Sequence, residues 1–239
     1  MSNGRIALVT GANKSIGYEA VRGLARLGMT VYLGSRDLAA GEAAAESLKA
    51  EGDVRPVQLD VTDRASMAAA IRLIDQAHGK LHVLVNNAGT TNGSRDPLTA
   101  DIGLMKDLFE TNFWGVVALT QLAAPLLQKS ESARVVNVSS GAGTFGFLQA
   151  DKSAVPVKPF AYCTSKTALN AATVLFADAL KADGVLVNAA DPGLVKSALS
   201  QFAGVRGPEE GAKSILMLAT LDDDGPTGGF FNENGPRAW

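Results

Sequence analysis

Cysteine is almost missing from this chain. Cys163 is the only one among 239 residues, so no disulfide can close within the chain, and a reducing cytoplasm is the expected compartment. Histidine is nearly as scarce. The two present, His78 and His82, match no metal-ligand spacing and read as loop-side residues around a turn, so no metal is expected. No apolar run approaches the roughly 18 residues of a membrane-spanning helix. The stretch from Met1 to Gly11 holds only the short run Ile6–Val9, too brief for the apolar core of a signal peptide. An excess of one charge is lacking too: 22 Lys and Arg face 24 Asp and Glu, a formal net charge of −2. Such a chain offers no basic field to nucleic acid or to an anionic membrane, and neither is expected as a partner. The acidic run Asp222–Asp224 precedes Gly225-Pro226 and reads as a solvated turn. What the chain does have is apolar material, 46% of its residues, enough for a sizeable core in one domain spanning residues 1–239.

That material alternates between two patterns. Arg5–Thr10, Thr30–Gly34, Val54–Leu59, Val83–Asn86, Arg134–Val138 and Val185–Ala189 read as strands, most of them continuous apolar runs of the kind covered on both faces. Between them, Tyr18–Leu27, Gly41–Ala50, Arg64–Ala77, Leu104–Gln128 and Thr164–Ala182 have the length of helices. Asp63 precedes one helix, and Pro208-Glu209-Glu210 reads as the start of another. The alternation implies right-handed crossovers and an α/β fold, a single-domain doubly wound parallel sheet with helices on both faces. Two loops rich in small and polar residues, Thr90–Thr99 and Gly141–Pro159, follow strands at the carboxyl edge, where open α/β sheets bind ligands.

The first strand runs into Thr10-Gly11-Ala12-Asn13-Lys14-Ser15-Ile16-Gly17. A small-residue turn between a buried strand and a helix lets backbone N–H groups approach a pyrophosphate at the helix's positive end. Gly11 permits the tight turn and Gly17 lets the helix pack on the sheet. Glycines in such turns also occur in folds that bind no phosphate, and the spacing here is not the ordinary Gly-x-Gly-x-x-Gly. Lys14 and Ser35-Arg36 add weight, because a guanidinium just past the second strand suits a ribose 2′-phosphate. The competing reading takes Asp37 as the acid that accepts from a free 2′-hydroxyl. Gly34 and Ser35, however, occupy the strand end where that acid belongs. NADP(H) is therefore expected over NAD(H).

A second signal is Tyr162-Cys163-Thr164-Ser165-Lys166 at the start of a helix. Residues four apart share a helix face, and a nearby ammonium is expected to draw the phenol below its ordinary value of about 10. A packed tyrosine beside an exposed lysine would give the same spacing. Cys163 points away from Tyr162 and reads as a buried thiol. Other hydroxyl and amide groups fall where they could join the tyrosine. Ser139-Ser140 closes the strand Arg134–Val138, Asn86-Asn87-Ala88-Gly89 ends the strand before it, and Asn112 lies in the following helix. Asn86 also suits a structural role at a strand end, and a buried helical asparagine such as Asn112 also suits bracing of neighbouring backbone. Phe145, Phe147, Phe160 and Phe202 fall in rim segments and serve either a pocket wall or the core. Phe109, Phe113, Trp114 and Leu119 form an apolar surface for packing or for dimerisation.

Taken together, these motifs resemble the short-chain dehydrogenase/reductase family over essentially the whole chain, in its classical form and its NADPH-dependent carbonyl-reductase branch. The resemblance implies a Rossmann-type fold and hydride transfer between NADP(H) and a small-molecule ketone, aldehyde or alcohol. Carried over by motif, the catalytic residues are Asn112, Ser140, Tyr162 and Lys166, with Ser139 the alternative serine. Tyr162 would be the acid, and Ser140 would hold the substrate oxygen. Lys166 would lower the tyrosine pKa and hold the nicotinamide ribose, and Asn112 would position a relay water. The cofactor residues are Gly11, Asn13, Lys14, Ser15, Ile16, Gly17, Ser35, Arg36, Asp60, Val61, Asn87, Ala88 and Gly89. Tyr162, Lys166, Pro192, Gly193, Val195 and Ser197 complete the set. Ser15 departs from the pattern, standing where the family usually has glycine; its hydroxyl is placed to donate to a phosphate oxygen, so tolerated binding is expected. The interval from Ser140 to Tyr162 is also longer than usual, which implies an insertion, assigned to Lys152–Pro159. That insertion leaves a homo-oligomer, dimer or tetramer, and a monomer all open. The substrate pocket is assigned to the rim loops and Gln201–Arg206. The contrasting class is a non-catalytic NADP(H)-binding sensor or scaffold, for which a tyrosine–lysine pair serves no purpose.

Overall fold

The computed structural model describes residues 4–91, 93–151, 153, 155, 158–200 and 202–239. Lys152, Ala154, Pro156 and Val157 of the assigned insertion, and Gln201 of the assigned pocket segment, lie outside the described residues.

Six strands form where the apolar runs stand: β1 Ile6–Val9, β2 Thr30–Ser35, β3 Val54–Gln58, β4 Val83–Asn86, β5 Arg134–Val138 and β6 Leu186–Ala190. Two short ones follow, β7 Phe230–Asn232 and β8 Gly235–Arg237, which the sequence pattern does not announce. The strand order is β3-β2-β1-β4-β5-β6-β7-β8, parallel throughout except for the antiparallel β7–β8 hairpin. The order reverses between β1 and β4, so the connections leave that edge in opposite directions and open a crevice beyond the strand ends.

Among the described residues, eight α-helices connect the strands: α1 Ser15–Arg26, α2 Leu38–Ser47, α3 Arg64–His78, α4 Ile102–Phe109, α5 Gly115–Gln128, α6 Phe145–Gln149, α7 Phe160–Ala179 and α8 Pro208–Ala219. Side chains alternate across each strand, which splits the core in two. Ala7 and Val9 of β1 pack with α1, α2 and α8, whereas Ile6 and Leu8 pack with α3, α5 and α7. None of the described helices is long and apolar enough to cross a membrane.

Two expectations need correction, and a third gains a detail. The helix expected over Leu104–Gln128 is broken at Glu110–Trp114 by a π-helical turn, which leaves Leu119 in the core and Trp114 exposed. His82 is not a loop-side residue: it is buried, and its Nδ1 accepts from the backbone N–H of Ile6 at 3.0 Å, joining the start of β4 to β1. The acidic turn is exposed as expected, and it also makes a tie to the sheet. Asp223 accepts from Ser132 Oγ at 2.6 Å and from the fully buried Arg134 guanidinium at 2.7 Å, which ties the approach to β7 onto β5.

Candidate active site

Because β1 to β6 run in one direction, their carboxyl ends share one edge of the sheet. The turn Thr10–Gly17, Ser35-Arg36, Asp60-Val61, Asn87–Gly89, Ser139-Ser140 and Pro192-Gly193 each lie at or just past one of those ends. Residues scattered over the sequence are gathered there by topology.

The turn after β1 fits a dinucleotide phosphate. Gly11 has φ +59°, and a Cβ on it would meet Ala88 Cα at 2.9 Å; one on Gly17 would meet Asn87 Nδ2 at 2.4 Å. Asn87 spends its side-chain amide on the carbonyls of Thr10 (2.8 Å) and Gly11 (3.1 Å), so it braces the turn. Helices α2, α3 and α4 are each capped by an aspartate, at Asp37, Asp63 and Asp101. Helix α1 instead has Lys14 at its cap, with no side-chain hydrogen bond and no acid in its first turn. Its first N–H groups and positive end remain for an anion. Ser15 adopts φ +54°, and its buried Oγ meets no partner. Ile16 packs on the α1–α8 core.

Farther along the edge, Ser35 Oγ donates to the Asp37 carbonyl at 2.7 Å, and Arg36 is exposed beside it. The Asp37 carboxylate accepts from the Ala40 N–H at 3.2 Å, so it is occupied as a helix cap. Asp60 Oδ1 likewise holds its own turn, accepting from the N–H and hydroxyl of Thr62. Gly193 has φ +70° and donates to Asp191, Val195 is buried, and the Ser197 N–H donates to Ser200 Oγ at 3.1 Å.

The tyrosine and lysine meet on α7. Its first N–H groups have no side-chain cap; those of Phe160 and Ala161 donate to the carbonyls of Arg95 and Ser94 in the loop after β4. Lys166 is buried, donates from Nζ to the Val138 carbonyl at 2.8 Å, and stands 5.8 Å from the centre of the Tyr162 ring. Ser140 caps a 3-10 turn, Gly141–Gly143, accepting from the Ala142 N–H at 3.1 Å. Gly143 presses that turn against α7 at Lys166. Ser139 is engaged elsewhere, donating to Asn170 Oδ1 at 2.5 Å in the interior. Ser140, the other member of the pair, stands near enough to the Tyr162 phenol to pull its pKa down.

Asn112 lies in the π-helical turn, and its amide is fully used: Oδ1 accepts from the Thr90 N–H at 2.8 Å, and Nδ2 donates to the Thr90 carbonyl and to Ser165 Oγ. Its side chain braces the loop after β4 against α7. A Cβ at Gly89 would lie 3.5 Å from Asn112 Oδ1 and 3.8 Å from Lys166 Nζ, so glycine keeps the space between them free. Asn86 is also braced inside, donating to Thr120 and Asn137.

The expected electrostatics of Tyr162 are reversed. Burial pushes the phenol up to about 12; the Ser140 hydrogen bond pulls it down, and the Asp191 and Cys163 charges push it further up. Burial also pushes Lys166 down to about 8. Desolvation disfavours the charged form of both groups. Cys163 is buried and its thiol is raised.

Asp191 was not singled out by sequence reasoning. It is buried, accepts from the Gly193 N–H at 3.0 Å and is ion-paired to Arg237 of β8. The place of Asp191 just before Pro192-Gly193 was an available signal; nothing marked Arg237, 46 residues away. Beside this pair, a cavity of about 490 Å³ lies between the 141–147 segment and the last four residues, with Phe147 and Trp239 in its wall. At the rim, Phe145 and Phe202 are exposed, and Thr91 Oγ1 donates to the Leu199 carbonyl at 3.1 Å, joining the loops after β4 and β6.

Residues 5–204 match the family model described as short chain dehydrogenase. Salutaridine reductase from Papaver bracteatum is 33% identical, over 95% of this chain and 94% of that protein. The solved structure of salutaridine reductase from Papaver somniferum has a TM-score of 0.83 at 31% identity, covering 95% of this chain and 99% of that one. A metagenomic short-chain oxidoreductase solved in complex with NADP has a TM-score of 0.77 at 28% identity, covering 94% of each chain.

Proposed function

Since the chain belongs to the short-chain dehydrogenase family, a family of oxidoreductases, we propose that it is an NADP(H)-dependent reductase of ketones or aldehydes, acting as one domain over residues 1–239. The observation that carries the proposal is the cluster at the start of α7: the Tyr162 phenol beside Ser140, with the buried Lys166 Nζ 5.8 Å from the centre of its ring. The choice of the 2′-phosphorylated cofactor rests on exposed Arg36 and Lys14 and on the engagement of the Asp37 carboxylate with α2. A relative of the same fold has been solved with NADP, which supports the same choice.

When bound, the cofactor supplies a hydride to the carbonyl carbon, and this chain supplies the rest. Tyr162 gives its proton to the carbonyl oxygen. A phenol raised to about 12 carries that proton throughout the neutral range. Ser140 holds the same oxygen, its own hydroxyl fixed by the Ala142 N–H. Lys166, anchored on the Val138 carbonyl, puts positive charge beside the phenolate that proton transfer leaves, and is placed to hold the nicotinamide ribose. Asn112 is a positioning residue that sets the loop after β4. Pro192-Gly193 and Val195 line the nicotinamide side, their turn held by Asp191.

The test is the loss of NADPH absorbance with purified protein and a panel of activated ketones. Tyr162→Phe should lose nearly all turnover while still binding NADPH. Near-normal turnover in that variant would remove Tyr162 from the acid role. Tight NADPH binding with no carbonyl consumed would favour the sensor.

A further inference from the structure

Asp191 is a buried carboxylate in the middle of the site, and its two oxygens face different ways. Oδ1 accepts from the Gly193 N–H at 3.0 Å, which fixes the turn on the nicotinamide side. Oδ2 meets Arg237 Nη1. Both partners of that ion pair press on the residue after Ser140: a Cβ at Gly141 would lie 3.3 Å from Asp191 Oδ2 and 3.4 Å from Arg237 Nη1. Asp191 also stands near enough to Tyr162 for its charge to oppose the phenolate. A lone negative charge there would hinder a phenol that must give up its proton.

The fold brings a cation to meet it. β7 lies parallel to β6, with Phe230 beside Ala189, and β8 turns back to set Arg237 beside Phe230. The antiparallel hairpin thus returns the chain to the end of β6, where Asp191 stands. The guanidinium lies 5.7 Å from the centre of the Phe230 ring, which itself stacks on Trp239 at 5.3 Å, so the arginine side chain is held in its direction. Arg237 lies beyond residues 5–204, the part of the chain that matches the family model. We propose that Arg237 is a positioning residue for carbonyl reduction: it holds Asp191 between the Ser140 and Gly193 turns and offsets the carboxylate's charge beside Tyr162. This rests on the reading of Tyr162 as the proton donor. The other ionisable groups around the phenol are Lys166 and Cys163 on α7, with Arg206 and its partner Glu233 beside Asp191; the substitutions below leave all four in place.

The experiment follows NADP+-dependent oxidation of the alcohol of the best ketone, from about pH 8 to 10, in wild type and four variants, each with a melting curve. Oxidation needs the phenolate, so kcat/KM climbs with pH. Arg237→Met strands a negative charge, and the climb should move to higher pH by about half to one unit, a rate about 3- to 10-fold lower at each pH. Asp191→Asn keeps an oxygen for the Gly193 N–H but strands a positive charge, and should move the climb to lower pH by a similar amount. The double variant, neutral like the ion pair, and Arg237→Lys should both lie within about 0.3 unit of wild type. An unmoved climb in both single variants, or shifts of the same sign, would mark the pair as structural; either result would overturn the proposal and leave the enzyme reading standing. Should Arg237→Met fail to fold, Asp191→Asn is compared with the double variant, and coincident climbs in those two would overturn it equally. Wild type that turns over neither alcohols nor ketones with either nicotinamide cofactor would overturn the proposal and the enzyme reading together.

Discussion

Gly143→Ala probes a close backbone contact of the site. A Cβ at that position would stand 2.7 Å from the Lys166 carbonyl carbon, 2.8 Å from its Cβ and 2.9 Å from its carbonyl oxygen. These atoms belong to or adjoin the backbone of a 20-residue helix, so no flexible side-chain end can swing aside. To reach ordinary contact, the 3-10 turn must retreat from α7 by about 0.7 Å. Ser140 caps that turn, and its Oγ accepts from the Ala142 N–H, so the displacement passes to the hydroxyl beside Tyr162. Overpacking of this kind costs about 1–3 kcal/mol, or roughly 2–12 °C in melting temperature for a chain of this size. A hydroxyl moved by nearly 1 Å costs on the order of 100-fold in kcat/KM. Gly146→Ala is the control: a Cβ there meets nothing within 4 Å, and its stability should stay within about 0.5 kcal/mol of wild type. Melting curves and ketone reduction by both variants, with NADPH titration, give the answer. Wild-type stability and turnover in Gly143→Ala, or equal losses in both variants, would refute the packing argument.

The serine pair separates by a similar comparison. Ser139→Ala leaves Asn170 Oδ1 without its buried donor and should lower stability by about 1–3 kcal/mol with turnover changed only a few-fold. Ser140→Ala should melt close to wild type and lose about 100- to 1,000-fold in kcat/KM; the opposite pattern would transfer the catalytic role to Ser139. His82 should govern part of the acid stability. Burial, then the Lys80 and Arg5 charges, push it down to about 4 from 6.5. The unfolded chain therefore binds more protons between those values, and stability falls as pH drops from about 6.5 to about 4, by about 3 kcal/mol in all. His82→Asn, which keeps an acceptor for the Ile6 N–H, should flatten that fall in urea unfolding at pH 7, 5.5 and 4.5. An unchanged slope would assign the acid lability to other groups.

The strands β1, β4, β5 and β6 were legible because each is buried along its whole length and spelled mostly in apolar residues. β7 and β8 were not, having three residues each, too few for a pattern, with β8 at the edge of the sheet. The turn glycines could be found because φ and close packing restrict Gly11 and Gly17 chemically. His82 was misread because a histidine before a strand has no sequence mark of burial; it is held by a partner 76 residues away. For the same reason Arg237 escaped notice: an ion pair made across the fold has no local spacing.

Tyr162 and Lys166 show where spacing stops carrying information. Four residues on one helix correctly predicts proximity, yet the sign of the pKa shift depends on burial, which spacing does not encode. Desolvation acts on both groups in the same sense, toward the neutral form, and is the largest influence on each. The outcome suits one direction of the proposed reaction better than the other. Carbonyl reduction begins with the proton on the phenol, and a group at about 12 holds it there at neutral pH. Alcohol oxidation begins with the proton gone, a state that burial and the nearby Asp191 carboxylate both oppose. The one influence favouring the phenolate is Ser140, and with Lys166 at about 8 the positive charge beside the ring fades as pH rises. Raising the pH thus removes the cation from the site well before it removes the proton from the tyrosine, so the acid role survives alkaline conditions that withdraw support from the base role.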